Sequence, residues 1–164
     1  MFTKIDLIVG AIGIRLSRKF KKICNQPDIV FVKENLAFGG HTPYEELKKF
    51  KIDTIIDLRI ETSSPHIDSE FFEYYKIGIV DGSIPAESQI IQIHKIINEN
   101  ESKGKSIFIH CNLGRGRATL VTMSYLLRDG FDWPTAWNKV KQRRFVYLNK
   151  KQIEFLKTSG IIGN

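Results

Sequence analysis

The segment IFIHCNLGRGRATLV at residues 107–121 constrains the fold more than any other part of the chain. Three apolar residues at 107–109 predict a buried strand, and the apolar pattern from residue 117 predicts a helix. A cysteine and a loop with two glycines lie between these two elements. A strand, a short glycine loop and a helix in this order indicate a layered α/β domain.

Alternating strands and helices are predicted along the rest of the chain after Pro27, and Thr42 is expected to cap the first helix. No internal repeat or low-complexity linker separates them. The sequence therefore predicts one domain over residues 27–164, preceded by a distinct segment at residues 1–26. The strands are expected at residues 29–32, 36–38, 52–58, 71–80 and 106–109, and the helices at 43 onward, 88–100, 117–128, 133 to about 144, and 150–157.

The bulk composition is that of an ordinary soluble globular chain, with 42% hydrophobic and 26% charged residues among 164. No apolar run approaches the roughly 18 residues needed to cross a bilayer. Two cysteines, Cys24 and Cys111, do not make a disulfide framework, and they fit a reducing compartment. We therefore expect a cytoplasmic protein.

Most of the positive charge lies in residues 1–26, which carry five of the seven excess positive charges. The excess does not cover a general nucleic-acid face, so no nucleic-acid partner is expected. Apolar residues recur at helical spacing in this segment, which predicts a basic amphipathic helix. Two interpretations stay open: a helix or partly ordered arm on the domain, or docking on an anionic membrane surface as a peripheral protein.

The loop after the predicted central strand has the features of an anion site. Gly114 and Gly116 allow main-chain N–H groups to approach phosphate oxygens closely, and the following helix N-terminus adds positive potential. Arg117 offers a planar fork for two such oxygens. The same groups favour the thiolate of Cys111. A cysteine that is only a small buried hydrophobe would leave the two glycines and Arg117 unexplained.

The stretch from His110 to Arg117 resembles the His-Cys-x5-Arg signature of the cysteine-dependent protein tyrosine phosphatase superfamily. The chain's size and the position of the signature resemble the small atypical dual-specificity phosphatases. The resemblance implies a protein tyrosine phosphatase-like α/β fold with a central mixed sheet flanked by helices. It also implies a phosphocysteine on Cys111 and support of the thiolate by His110. No metal or other cofactor is expected, because Arg117 and the loop amides neutralise the phosphate charge. The implied phosphate-binding residues are Asn112, Leu113, Gly114, Arg115, Gly116 and Arg117.

The family also supplies a general acid from a loop upstream of the signature. Asp81 lies 30 residues before Cys111, between a predicted strand and a predicted helix. The resemblance implies that Asp81 is the acid of the first step and the base of the second. Asp57 is its competitor, and we expect Asp57 and Arg59 to be structural or rim residues.

The sequence departs from the family pattern directly after Arg117. The family usually has Ser or Thr there, whose hydroxyl helps the thiolate leave, whereas this chain has Ala118 followed by Thr119. One residue along a helix is a rotation of about 100°, so Thr119 is not expected to take over this supporting role. We therefore expect the phosphocysteine to break down more slowly than it forms.

Two further pairs of residues near the C-terminus have open roles. Asn149 and Gln152 lie where some family members place an amide that orients water. Arg143 and Arg144 either border the pocket or belong to a solvated helix end.

Three functions stay open at this stage. The resemblance implies an enzyme that acts on phosphotyrosine, with or without phosphoserine and phosphothreonine, in proteins, and we expect it to be a monomer. The first alternative is a lipid phosphatase of the phosphoinositide or phosphatidylglycerophosphate type, acting on a phospholipid at a membrane surface. The second is a catalytically dead phospho-binding module, against which the retention of Cys111, Arg117 and Asp81 argues.

Overall fold

The computed structural model describes residues 28–63, 70–142 and 144–158. The basic segment at residues 1–26 and Cys24 lie outside the described residues, so their predicted roles stay predictions. Within the described part of the chain, no helix is both long and apolar enough to span a membrane.

Every predicted strand and helix after Pro27 is present, with bounds that differ by a few residues at most. The order of elements is that of an α/β domain, with a strand pair first and helices between most later strands. The elements are β1 Ile29–Lys33, β2 Leu36–Gly39, α1 Tyr44–Lys49, β3 Thr54–Arg59, β4 Glu73–Ile79, α2 Glu87–Glu101, β5 Ile107–His110, α3 Arg117–Arg128, α4 Trp133–Lys141 and α5 Lys150–Thr158.

The five strands form one mixed sheet in the order β1-β2-β5-β3-β4. β1 pairs with β2 antiparallel, and the other neighbours are parallel. Every residue of β3 and β5 is buried, as expected for strands covered on both faces. The carboxyl ends of β3, β4 and β5 meet at one edge of the sheet, which is where α/β folds place their ligand sites. The predicted fold class is confirmed.

Two hydrophobic clusters cover the two faces of the sheet. Successive strand residues point to opposite faces, so Ile107 and Ile109 enter the larger cluster with helices α2 to α5, whereas Phe108 enters the smaller one. Leu47 of α1 covers Phe108 on that second face. Helices on both faces fix β5 in the centre of the domain. The start of the segment that follows β5 therefore has a fixed position as well.

One predicted helix cap is wrong. Thr42 does not cap α1, because its hydroxyl donates to the carbonyl oxygen of Gly40 at 3.2 Å and the helix begins two residues later, after Pro43. Helix α4 does have a side-chain cap, since Asp132 accepts a hydrogen bond from the Thr135 N–H at 3.0 Å.

Asp57 and Arg59 are buried structural residues, and neither lies at the rim. Nη2 of Arg59 donates to Oδ2 of Asp57 at 2.7 Å, and the Tyr74 hydroxyl donates to the same oxygen at 2.8 Å. Burial alone would raise the pKa of Asp57, but the hydrogen bonds from Arg59 hold it well below its usual range. Asp57 therefore carries its charge at neutral pH and ties β3 to β4.

We expect Asp57→Asn to lose about 3 kcal/mol of unfolding free energy at pH 7, because it leaves Arg59 buried without its charged partner. A carboxyl with a depressed pKa stabilises the fold above its ordinary value of 3.8, and that contribution is lost as the pH falls below it. Urea unfolding should thus show a smaller difference from wild type at pH 3 than at pH 7.

Glu45→Gln is the control, since Glu45 is exposed in the first turn of α1 and surface changes usually cost under about 0.5 kcal/mol. Equal unfolding free energies for the two variants at pH 7 would contradict the role of Asp57.

Candidate active site

The loop from Cys111 to Gly116 joins the central strand β5 to helix α3. Cys111 is only 2% exposed, and the Gly114 N–H donates to its Sγ at 3.2 Å. Gly114 has a φ of +63°, and a Cβ there would overlap the main chain of Gly39 and Gly40. Only glycine fits this position, and the resulting turn directs a main-chain N–H at the sulfur.

The main chain of the loop is held from outside at several points. The Asn112 carbonyl accepts from the His41 N–H at 3.2 Å, and the Arg115 carbonyl accepts from the Tyr147 N–H at 2.8 Å. Leu113 forms an isolated bridge with Gly40. With the carbonyls turned outward to these partners, the loop and the first turn of α3 have the arrangement of an anion cradle.

Arg117 is the first residue of α3, and its side chain is buried, with 2% exposed. Its two Nη atoms donate to the two carboxylate oxygens of Glu61, each at 2.7 Å. Nη1 also donates to the carbonyl oxygen of Ile79 at 3.1 Å. Hydrogen bonds from Arg117 lower the pKa of Glu61 to about 2, so this ion pair persists across the physiological range.

Glu61 is a site residue that the sequence analysis missed. It lies two residues after β3, at the same sheet edge as the loop that follows β5. The available sequence signal was an acidic residue shortly after β3, the strand that lies beside β5. The contact joins residues 56 apart, so no local pattern contains it.

The structure brings Asp81 to Arg117. Oδ1 of Asp81 lies 3.1 Å from Nε of Arg117, yet Nε makes no hydrogen bond of good geometry with any described residue. The Asp81 side chain is 78% exposed, at the mouth of the cradle. Nε of Arg117 is thus a buried donor for a further acceptor, and the carboxyl group of Asp81 lies beside it. Binding a phosphomonoester requires such a donor, and protonating its leaving group requires such an acid.

Arg144 packs against the loop with its side chain 3% exposed, so the second of its two open interpretations, a solvated helix end, does not hold. Helix α4 ends at Lys141, and the Arg144 side chain turns inward, where Nη1 donates to the Gly114 carbonyl oxygen at 2.6 Å and Nη2 pairs with Asp28. Burial lowers the pKa of Arg144, and the nearby Asp28 and Cys111 oppose that shift. The side chain of Arg143 lies outside the described residues.

His110 is buried behind Cys111. Burial lowers the pKa of His110 to about 4, so its ring is neutral at pH 7. Nε2 lies 3.9 Å from Oδ1 of Asp57, and Nδ1 has no hydrogen-bond partner of good geometry among the described residues. The support of the thiolate by His110 therefore stays a prediction.

Ala118 and Thr119 are both completely buried. The Thr119 hydroxyl donates to the Gly114 carbonyl oxygen at 3.4 Å, and no hydrogen bond to Sγ of Cys111 is found for it among the described residues. This geometry agrees with the expectation that Thr119 does not take the place of a hydroxyl at residue 118.

The amides of Asn149 and Gln152 contact the loop that carries Asp81. Nδ2 of Asn149 donates to the Gly82 carbonyl oxygen at 2.8 Å, and Nε2 of Gln152 donates to the Ser83 carbonyl oxygen at 3.0 Å. Both amide groups are thus engaged with the main chain, whereas the resemblance suggested that they orient water.

Comparison with known proteins gives the family. The model of the dual specificity phosphatase catalytic domain matches residues 37–158. "Probable protein tyrosine phosphatase type IVA A" of Dictyostelium discoideum is 28% identical over 115 residues, which are 68% of this chain and 69% of that protein. "Phosphatidylglycerophosphate phosphatase PTPMT1" of Arabidopsis thaliana is 39% identical over 44 residues, which are 27% of this chain and 13% of that protein.

A solved structure agrees with these matches. The crystal structure of Tk-PTP in the active form is 26% identical, with a TM-score of 0.69 over 80% of this chain and 95% of that one. The matched family segment includes the whole signature loop together with Asp81 and Glu61. The resemblance seen in the signature is confirmed, and the chain belongs to the dual specificity phosphatase family of cysteine-dependent tyrosine and dual-specificity phosphatases.

Proposed function

We propose that this chain removes phosphate from phosphorylated proteins, with phosphotyrosine as the preferred residue, through a phosphocysteine on Cys111. The observation that carries the proposal is the convergence of three groups on one loop. The Gly114 N–H points at Sγ of Cys111, and Arg117 is buried with Nε lacking a hydrogen bond to any described residue. Asp81 stands beside that Nε.

The first step forms a sulfur–phosphorus bond. The Cys111 thiolate attacks phosphorus, the bond from phosphorus to the leaving oxygen breaks, and the protonated Asp81 carboxyl gives its proton to that oxygen. The loop N–H groups and Nε of Arg117 hold the phosphoryl oxygens. Glu61 fixes the guanidinium by taking both Nη atoms, which leaves Nε directed at the cradle.

The second step releases phosphate. The Asp81 carboxylate takes a proton from water, the water oxygen attacks phosphorus, and the sulfur–phosphorus bond breaks to return the thiolate. Asp81 ends the cycle protonated, as it began. The protein needs no further reactant.

Exposed apolar residues at the sheet edge that carries the loop support the preference for phosphotyrosine. Ile60 and Val80 directly follow β3 and β4, and Ile84 lies in the loop that carries Asp81; all three are exposed. Exposed Tyr147 adjoins the signature through its N–H to Arg115. An aryl phosphate would lay its ring against such side chains, whereas phosphoserine has no ring to place there.

A lipid phosphate is the second candidate. The favouring observations are the 44-residue match to the Arabidopsis phosphatidylglycerophosphate phosphatase and the excess positive charge in residues 1–26. Anionic membrane surfaces attract such basic segments. Phosphoinositide and phosphatidylglycerophosphate headgroups are both phosphomonoesters, so either would use the same cradle.

One substrate panel tests the proposal. We expect the wild-type protein to hydrolyse a phosphotyrosine peptide faster than a phosphothreonine peptide or vesicles with phosphatidylinositol phosphate or phosphatidylglycerophosphate. Cys111→Ser should reduce hydrolysis to background, because the hydroxyl is a far weaker nucleophile. Cys24→Ser is the matched control and should retain full activity. Hydrolysis that survives Cys111→Ser would refute the mechanism, and faster turnover of a lipid would favour the second candidate.

A second test concerns the acid. We expect Asp81→Asn to lower kcat/KM for phenyl phosphate about 10²-fold, because the poor leaving group needs a proton. The loss should be smaller for para-nitrophenyl phosphate, whose leaving group is stable as an anion. Glu87→Gln, at an exposed position in the first turn of α2, should change neither. Equal losses on the two substrates would argue against Asp81 as the acid.

A third test concerns Ala118. Because no hydroxyl at residue 118 assists the departing thiolate, rapid-quench kinetics should show a burst of leaving group followed by a slower steady state. Ala118→Ser should shrink the burst and raise the steady-state rate. A wild-type reaction without a burst would overturn this expectation.

A further inference from the structure

The loop that carries Asp81, residues 80–85, is here called the acid loop. Two consecutive carbonyl oxygens of the acid loop, those of Gly82 and Ser83, accept hydrogen bonds from the side-chain amides of Asn149 and Gln152 at 2.8 and 3.0 Å. We propose that Asn149 and Gln152 are positioning residues that hold the acid loop over the phosphate cradle and keep Asp81 against Arg117. This inference rests on the proposed function, in which Asp81 is the general acid.

The two amides have fixed orientations because they also cap helix α5. Oδ1 of Asn149 accepts from the Gln152 main-chain N–H, and Oε1 of Gln152 accepts from the Asn149 main-chain N–H, both at 3.0 Å. This reciprocal pair is a capping box. Since an amide has its acceptor and its donors at opposite sides, the box directs both NH2 groups at the acid loop. Gln152 is 2% exposed, so its rotamer is further fixed by packing.

Few other hydrogen bonds hold the acid loop among the residues that the structure describes. The N–H and hydroxyl of Ser83 both donate to the Val80 carbonyl oxygen, which shapes the turn without fixing it relative to the cradle. Gly82 has a φ of +75°, and nothing lies within 4 Å of where its Cβ would be. Gln89 anchors only the flanks, through the Gly78 carbonyl and the Ala86 N–H.

The amides connect the acid loop to the element that carries Arg117. Helix α5 packs against α3, and α3 begins at Arg117. The positions of Asp81 and Arg117 are thus both set by the same pair of packed helices, α5 and α3. Without the two donors, Asp81 would spend less time beside the leaving oxygen, and only a step that needs its proton would slow.

Asn149→Ser and Gln152→Glu separate the positioning role from the cap. Each variant keeps an oxygen that accepts the capping N–H of α5, and each loses the donor to the acid loop. We expect kcat/KM for phenyl phosphate to fall about tenfold in each variant, which is a part of the 10²–10⁴ that general acids contribute. For para-nitrophenyl phosphate the change should stay within about twofold.

Asp81→Asn, measured on the same two substrates, makes the outcomes distinguishable. The inference is supported if kcat/KM falls more for phenyl phosphate than for para-nitrophenyl phosphate in Asp81→Asn and in both amide variants. A larger loss for phenyl phosphate in Asp81→Asn alone overturns the inference. Equal losses of kcat/KM on both substrates in the amide variants also overturn it, because they indicate a merely structural role. An effect of Gln152→Glu without one of Asn149→Ser would assign the change to the added charge and also overturn it. No discrimination in Asp81→Asn would instead refute the general acid of the proposed function.

Discussion

The rest of the site depends on the hydrogen-bonded ion pair that the buried guanidinium of Arg117 makes with Glu61. A buried charge is tolerated only when it is paired and hydrogen-bonded. Arg117 meets this need with Glu61 after β3, the Ile79 carbonyl at the end of β4 and the neighbouring Asp81. One side chain from the start of α3 therefore gathers the loops that follow three neighbouring strands, with its Nε beside Asp81.

The fold supplies the frame for this arrangement. The central strand β5 is buried on both faces, so Cys111 at its end has a fixed position. Gly114 lets the loop turn back onto the sulfur, and Arg144 holds the Gly114 carbonyl from below. Rigid main-chain donors that are already aimed at a developing charge stabilise it without reorganisation. The same rigidity explains why glycine is required at residue 114, where any side chain would strike the neighbouring strand.

The sequence predicted the parts of this structure that depend on local pattern. Periodicity predicted the strands and helices after Pro27. The spacing of Cys111 and Arg117 predicted that one short loop brings these two residues together. It missed Glu61, whose contact with Arg117 spans 56 residues. It also left Arg144 undecided, because helix pattern alone did not reveal that α4 ends at Lys141. Long-range pairs of this kind are set by topology, which one sequence does not display.

The central claim is that Cys111 becomes phosphorylated during turnover. The most direct measurement is to quench the wild-type protein in acid during hydrolysis of a phosphotyrosine peptide, digest it, and locate the phosphate by mass spectrometry. We expect one phosphate on the peptide that contains Cys111, and this phosphate should disappear when substrate is exhausted. Turnover of the phosphotyrosine peptide with no phosphate on Cys111 at any quench time, or with phosphate on another residue, would contradict it.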